Sequence, residues 1–166
     1  MATQSLKTHL LQIFLEKFLP NCPPQTQYLE IGPGHGLWMA CAAEGLADVS
    51  LTGWDINPHS LAETSKSLAR MGIDAPISLK VRDICSPLEE EHVFDIAVVS
   101  QVLEIVPDPQ LALANVVRSL RPNGRLFVNS PVRAIAPDHI RRWETENDIL
   151  NLLENVGLEI NECWKI

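Results

Sequence analysis

The order of apolar runs and helix-compatible stretches predicts an α/β fold, a mostly parallel sheet flanked by helices. Three observations carry that expectation. Short apolar runs recur at Val49 to Trp54, Ile77 to Val81 and Phe94 to Ser100, and the last, FDIAVVS, is almost continuously apolar, as a strand buried on both faces should be. Asn57-Pro58 and Asp108-Pro109 each pair a good N-cap with a proline suited to the first helical position. The run Tyr28 to Gly36, YLEIGPGHG, passes from an apolar strand through an acidic residue into a glycine-rich turn, and the apolar LWMACAA of Leu37 to Ala43 follows directly.

Taken in order, the chain opens with helical spacing at Leu6, Leu10, Ile13 or Phe14, and Phe18, which predicts a helix over about residues 3–19, stopped by Pro20. NCPPQ then reads as a stiff connector to the strand at Tyr28. The helix that begins at Pro58 should run to Met71, with Gly72 as its C-terminal stop. The helix after Asp108 should end near Leu120, before the strand in RSLRPNGRLFVNSP, Arg118 to Pro131. Thr145 with Asp148 three residues on is a near capping box, and Asn155-Val156-Gly157 closes that helix. Leu158 to Ile166, LEINECWKI, alternates as a sixth strand would, giving an expected all-parallel order 3-2-1-4-5-6. Residues 1–166 are expected to form one domain, with no repeat, low-complexity tract or linker.

The glycine turn is the place where such a fold holds a nucleotide-like cofactor, because residues without a Cβ let a ligand approach the backbone. A dinucleotide fingerprint would put its third glycine at position 37, where this chain has Leu37. Here the glycines are Gly32, Gly34 and Gly36, with Glu30 two residues before the first. Asp55, at the end of the second strand, is placed to accept from both ribose hydroxyls of a nucleoside.

This ExGxGxG order resembles the first motif of class I S-adenosylmethionine-dependent methyltransferases. QVLEIVPDP, Gln101 to Pro109, resembles that family's fourth motif, with Ile105 where histidine is frequent. The resemblance covers nearly the whole chain and implies a Rossmann-like methyltransferase fold whose sheet normally ends in a seventh, antiparallel strand. Only six strand candidates are present, so a sheet lacking the seventh strand is expected, whether as a minimal form or as a chain that stops early. An exposed sheet edge would favour pairing into a homodimer.

The resemblance also implies S-adenosyl-L-methionine as cofactor. Its binding residues would be Glu30, Gly32, Gly34, Gly36, Asp55, Ile56, Asp83, Ile84 and Gln101. Glu30 would hydrogen-bond the amino acid portion or brace the loop, Asp83 would receive the adenine amino group, and Gln101 with Val102 would line the methyl-transfer cleft. PDHIRRW, Pro137 to Trp143, resembles a segment of small-molecule and glycan or lipid methyltransferases. His139 is there a general base or a structural helix cap, and Arg141 or Arg142 a holder of an anionic substrate. No acidic pair follows the fourth strand, so no metal is expected.

The expected function is methyl transfer to a small molecule or a glycan- or lipid-linked group. The rival readings are a non-catalytic cofactor- or partner-binding module of the same fold and an NAD-dependent dehydrogenase, which Leu37 disfavours. A net charge of -8 argues against a broad nucleic-acid surface. No apolar run approaches the roughly 18 residues of a membrane span, and no signal-peptide pattern opens the chain. Cys22, Cys41, Cys85 and Cys163 lack any CxxC spacing, which fits free thiols in a reducing cytoplasm better than zinc. His35 is a loop histidine or a ligand contact, His59 and Glu89 to Glu91 read as solvated surface, and Trp38 and Trp54 flank the cofactor region but fit core packing equally well.

Overall fold

A computed structural model of the protein describes residues 2–20, 22–134 and 136–165, with side chains from residue 8 onward. Leu6 of the first apolar stripe, Asn21 of the connector, Ile135 and Ile166 lie outside those described residues or side chains. The elements are α1 (Ala2–Ile13), β1 (Thr26–Ile31), α2 (Leu37–Gly45), β2 (Val49–Asp55), α3 (Pro58–Arg70), β3 (Ile77–Val81), β4 (Phe94–Ser100), α4 (Pro109–Ser119), β5 (Leu120–Asn129) and α5 (Glu146–Asn155). After α1 the helix widens into a π-helical stretch, Phe14–Phe18. Its rings pack into an aromatic group in which Phe14 meets Phe18, Trp38 and Phe127 at centroid distances of 5.5, 5.1 and 5.2 Å.

The strands form one sheet in the order β3-β2-β1-β4-β5, every pair parallel. β1 lies at the centre, with Tyr28 opposite Leu51 of β2 on one side and Ile96 of β4 on the other. Both faces are covered, as a parallel sheet requires. On one face Leu29, Ile31, Ala97 and Val99 pack against Leu113 and Val116 of α4 and Ile149 and Leu153 of α5. On the other, Tyr28, Leu51, Ile96 and Val98 meet Phe14, Met39 of α2 and Leu68 of α3. The alternation of neighbouring residues between the faces is the pleat of the strands.

The helix caps follow the sequence reading. Asn57 accepts from the His59 N–H at 2.9 Å, and Asp108 from the Leu111 N–H at 3.0 Å. Asp148 accepts from the Thr145 N–H at 2.9 Å in a complete capping box. α3 closes at Gly72, whose φ of +71° lets the following Ile73 N–H turn back to Leu68 O at 3.2 Å.

Within β5, Phe94 pairs with Leu120 and Ile96 with Arg125, so residues 121–124 loop out of the ladder as a bulge. One expectation needs correction. The expected sixth strand does not form among the described residues, and the order stops at β5. After α5, Gly157 takes φ +83° and the Leu158 N–H closes on Leu153 O. Leu158 and Ile160 then lean on the core while residues 161–165 stay exposed. Their alternation has one apolar face only, and Glu159, Glu162 and Lys165 oppose burial on both faces, which a strand inside a covered parallel sheet undergoes.

Candidate functional site

The chemistry-bearing residues gather at the carboxyl ends of the strands, where open α/β sheets bind ligands. At the end of β1 the chain turns through Gly32, Gly34 and Gly36, with φ values of +62°, +53° and +73°. A side chain at Gly36 would meet Leu68 at 2.8 Å and one at Gly32 would meet Val102 at 3.0 Å, whereas one at Gly34 would meet nothing within 4 Å. Gly32 and Gly36 are therefore packing glycines, and Gly34 with His35 is the exposed crest of the turn.

Two buried groups hold this turn. Thr64 of α3, fully buried, donates to Gly34 O at 2.6 Å. Glu30 is 1% exposed, accepts from the Tyr28 hydroxyl at 2.8 Å and from the Met39 backbone N–H, and so ties β1 to the first turn of α2. Burial pushes its carboxyl up to about 8, against the lowering effect of those two donors. With its carboxyl group enclosed, Glu30 has the geometry of a brace.

Beside the glycine turn, Asp55 ends β2 and accepts from the Asn57 N–H at 2.8 Å through one oxygen. Ile56 follows with 67% exposure, unusual for so apolar a side chain. After β3, Asp83 accepts from the Cys85 N–H at 2.9 Å and the Ser86 hydroxyl at 3.0 Å, shaping an exposed turn. Ile84 points into the core, and its carbonyl accepts from Asn115 of α4 at 2.7 Å. Gln101, after β4, takes φ +56° and its N–H donates to Asn129 O at 2.8 Å. The strand ends thus bring Gly34, Asp55, Ile56, Asp83 and Gln101 to one rim.

The segment after β5 docks on the loop after β4. The N–H groups of Ile140 and Arg141 donate to Glu104 O at 3.0 and 3.1 Å. The Arg141 guanidinium reaches the carbonyls of Val106 and Pro107 at 3.1 and 3.2 Å and lies 5.6 Å over the Trp143 ring. Arg142 pairs with Glu144 at 3.3 Å. Arg141 is thus a clamp on residues 103–107, not an open anion holder. Glu104, 1% exposed, accepts from the Ser130 hydroxyl through Oε1, while Oε2 has no hydrogen-bond partner among the described residues. His139 lies in the turn closed by its N–H to Ala136 O, with Nδ1 buried and without a hydrogen-bond partner among the described residues. It caps no helix; Thr145 caps α5.

Thr64 and Asn115 escaped the sequence reading, which named Arg141 as an anion holder and not as a clamp. A polar residue spaced three after Leu61 and four before Leu68 on the buried stripe of α3 was a usable signal for Thr64. Asn115 among the apolar residues of α4 was another. Nothing local marked the clamp role of Arg141, whose carbonyl partners lie more than thirty residues away.

Fold and rim define an α/β domain with a left-handed glycine turn at the carboxyl end of its central strand. A family model described as methyltransferase domain matches residues 29–126, and the chain belongs to that family. The demethylluteothin O-methyltransferase of Streptomyces thioluteus is 30% identical over 122 residues, covering 70% of this chain and 51% of that protein. The nocamycin O-methyltransferase of Saccharothrix syringae is 28% identical over 121 residues, covering 72% and 42% respectively. The chain spans about half the length of the curated relatives it matches. The fold is also that of the cyclase SpnF, with a TM-score of 0.76 at 21% identity over 94% of this chain and 57% of that one. A fold shared with a cyclase leaves the reaction to be argued from the site.

Proposed function

We propose that the chain binds S-adenosylmethionine along the rim of β1, β2 and β3 and transfers its methyl group to an oxygen of a small-molecule acceptor. One observation carries this reading: the left-handed glycine turn of β1 stands beside Asp55 and Asp83, at the ends of the next two strands. The residues fit the cofactor. A Cβ at Gly34 would enter open space, so a ligand can lie against that backbone. Asp55 keeps one oxygen beyond its bond to Asn57 for the ribose hydroxyls. Exposed Ile56 offers an apolar surface to the adenine ring. Asp83 uses both oxygens to shape its turn, and each retains a lone pair for the adenine amino group.

The cofactor supplies an electrophilic methyl on a sulfonium. The protein's contribution is alignment of the acceptor with that methyl, an effect that supplies roughly 7–11 kcal/mol where geometry is good. Glu30 and Thr64 hold the turn from beneath, and Arg141 fixes the β4 loop against which the acceptor would lie. His139 is the candidate base; because Nδ1 is enclosed, proton transfer would fall to Nε2. The names of the two O-methyltransferase relatives support an oxygen nucleophile.

The test is transfer of a labelled methyl group from S-adenosylmethionine to a panel of phenols, enols and alcohols. Labelled product, lost when S-adenosylhomocysteine is added in excess, is the expected result. Tight cofactor binding without transfer to any acceptor would favour the non-catalytic reading instead.

A further inference from the structure

Glu30 closes the glycine turn from beneath. It lies in β1 two residues before Gly32, and its carboxyl accepts from the Met39 N–H in the first turn of α2. It is 1% exposed, and no ion pair among the described residues includes it. Its donors, the Tyr28 hydroxyl at 2.8 Å and the Met39 N–H, are both neutral. A carboxyl enclosed without a cation keeps its proton, because burial penalises the charged form more than two neutral donors relieve it.

The surrounding elements bring no charge that would alter this balance. In the sheet, Glu30 stands opposite Gly53 of β2 and Val98 of β4. On its face of the sheet, the helices contribute Phe14, Met39 and Leu68, and the titratable groups packed there are Tyr28 and Cys41. Burial, reinforced by Glu30, pushes the Tyr28 hydroxyl well above its usual range, so it stays a neutral donor. The Thr64 hydroxyl of α3 is spent on Gly34 O. His35 at the crest of the turn and His59 in the first turn of α3 are both exposed.

We propose that cofactor binding at the glycine turn is coupled to release of the proton held by Glu30. S-adenosylmethionine is a net cation, since its sulfonium and ammonium outweigh one carboxylate. Set against the turn, that charge favours the ionised carboxyl beneath it. The O–H bond of the Glu30 carboxyl breaks, the proton passes to buffer, and the carboxylate left behind is a buried counter-charge for the bound cation. The coupling rests on the cofactor site proposed above and gives it a direction with pH. Affinity rises with pH while Glu30 is protonated in the free chain, and levels off above about 8. S-adenosylhomocysteine lacks the sulfonium and has no net charge, so it drives the release less.

The test is calorimetric titration of both ligands into the full chain, in buffers of different ionisation enthalpy, which counts the protons released. Near neutral pH the wild type should release at least about half a proton with S-adenosylmethionine, and clearly less with S-adenosylhomocysteine. Between about pH 6 and pH 7.5, below the titration of the ligand's own amino group, affinity for S-adenosylmethionine should climb by up to about tenfold per pH unit. Glu30→Gln keeps an acceptor for Tyr28 and should bind with little release and a flat profile. His35→Asn and His59→Asn should retain both the release and the climb. Tyr28→Phe removes a donor that favours the carboxylate and should carry the climb to higher pH, which keeps the coupling testable even where Glu30→Gln unfolds. Binding without proton release, equal release from the two ligands, release that survives Glu30→Gln, or an unmoved profile in Tyr28→Phe would overturn the coupling and leave the cofactor site standing. Failure to bind either ligand would overturn the site and the coupling together.

Discussion

On the β1–β3 half of the rim, position is set mostly close by in the chain, the bond from Thr64 to Gly34 O being the exception. Glu30 bonds Tyr28 two residues away, Asp55 accepts from Asn57, and Asp83 from Cys85 and Ser86. On the β4–β5 half it is set at long range. Glu104 receives the N–H groups of Ile140 and Arg141, and the Arg141 side chain returns to Val106 and Pro107. The difference teaches that one half of the rim is held mainly by turn chemistry and strand ends, while the other depends on which loops dock. Damage to one half should therefore leave the other in place.

The largest effect is expected at Gly36. Gly36→Ala puts a Cβ 2.8 Å from Leu68 in a left-handed conformation, at a cost of about 2–4 kcal/mol. Melting temperature should fall steeply. Gly34→Ala, with the same handedness but open space, should cost only about 1–2 kcal/mol of stability while weakening S-adenosylhomocysteine. Equal melting temperatures in the two variants would remove the distinction between packing and ligand-facing glycines.

Next comes the other half. Arg141→Met strips the loop carbonyls of a charged donor and should destabilise by roughly 1–3 kcal/mol. Amide exchange should quicken at residues 102–106, yet affinity for S-adenosylhomocysteine should stay within about twofold. A loss of cofactor affinity as large as the loss of protection would mean the halves are coupled.

A pH series isolates the buried brace. Between its unperturbed 4.5 and the folded value near 8, Glu30 keeps its proton in the folded chain and loses it on unfolding. Stability from this group is therefore full below that window and falls as pH rises through it, by up to about tenfold in the unfolding constant per pH unit. Glu30→Gln keeps an acceptor for Tyr28 and should flatten that decline, which thermal melts across the window would register. Asp148 works oppositely: the N–H groups of Thr145 and Glu144 hold its carboxyl below the usual range, so its contribution disappears only in acid.

Thr64→Val is the mildest change. It removes the bond to Gly34 O without altering volume much, for about 1 kcal/mol. Cofactor affinity should fall a few-fold in a titration, and a value equal to wild type would show that the turn holds its shape unaided.

Most of the first half was legible in the sequence because its causes are local. Phe94–Ser100 and Ile77–Val81 emerged with the boundaries expected from their apolar runs, and Asn57, Asp108 and Thr145 acted as the caps their chemistry suggested. Asp55 and Asp83 were placed by strand ends alone. What the sequence hid depends on partners far away in the chain. The clamp of Arg141 joins residues 34–35 positions apart, and the bulge at residues 121–124 appears only in the β4 register. The alternation in Leu158 to Ile166 suggested a strand, but alternation describes one face of a strand and says nothing of an edge to receive it.

The β1–β3 rim as a S-adenosylmethionine site stands or falls on a calorimetric titration of S-adenosylhomocysteine into the wild type and Asp55→Ala. The wild type should bind one equivalent. Loss of the charge-assisted acceptor should weaken binding by about 1.5–3 kcal/mol, roughly ten- to a hundredfold, with little change in melting temperature. Equal affinity in the two proteins, or no binding to the wild type, would contradict the site.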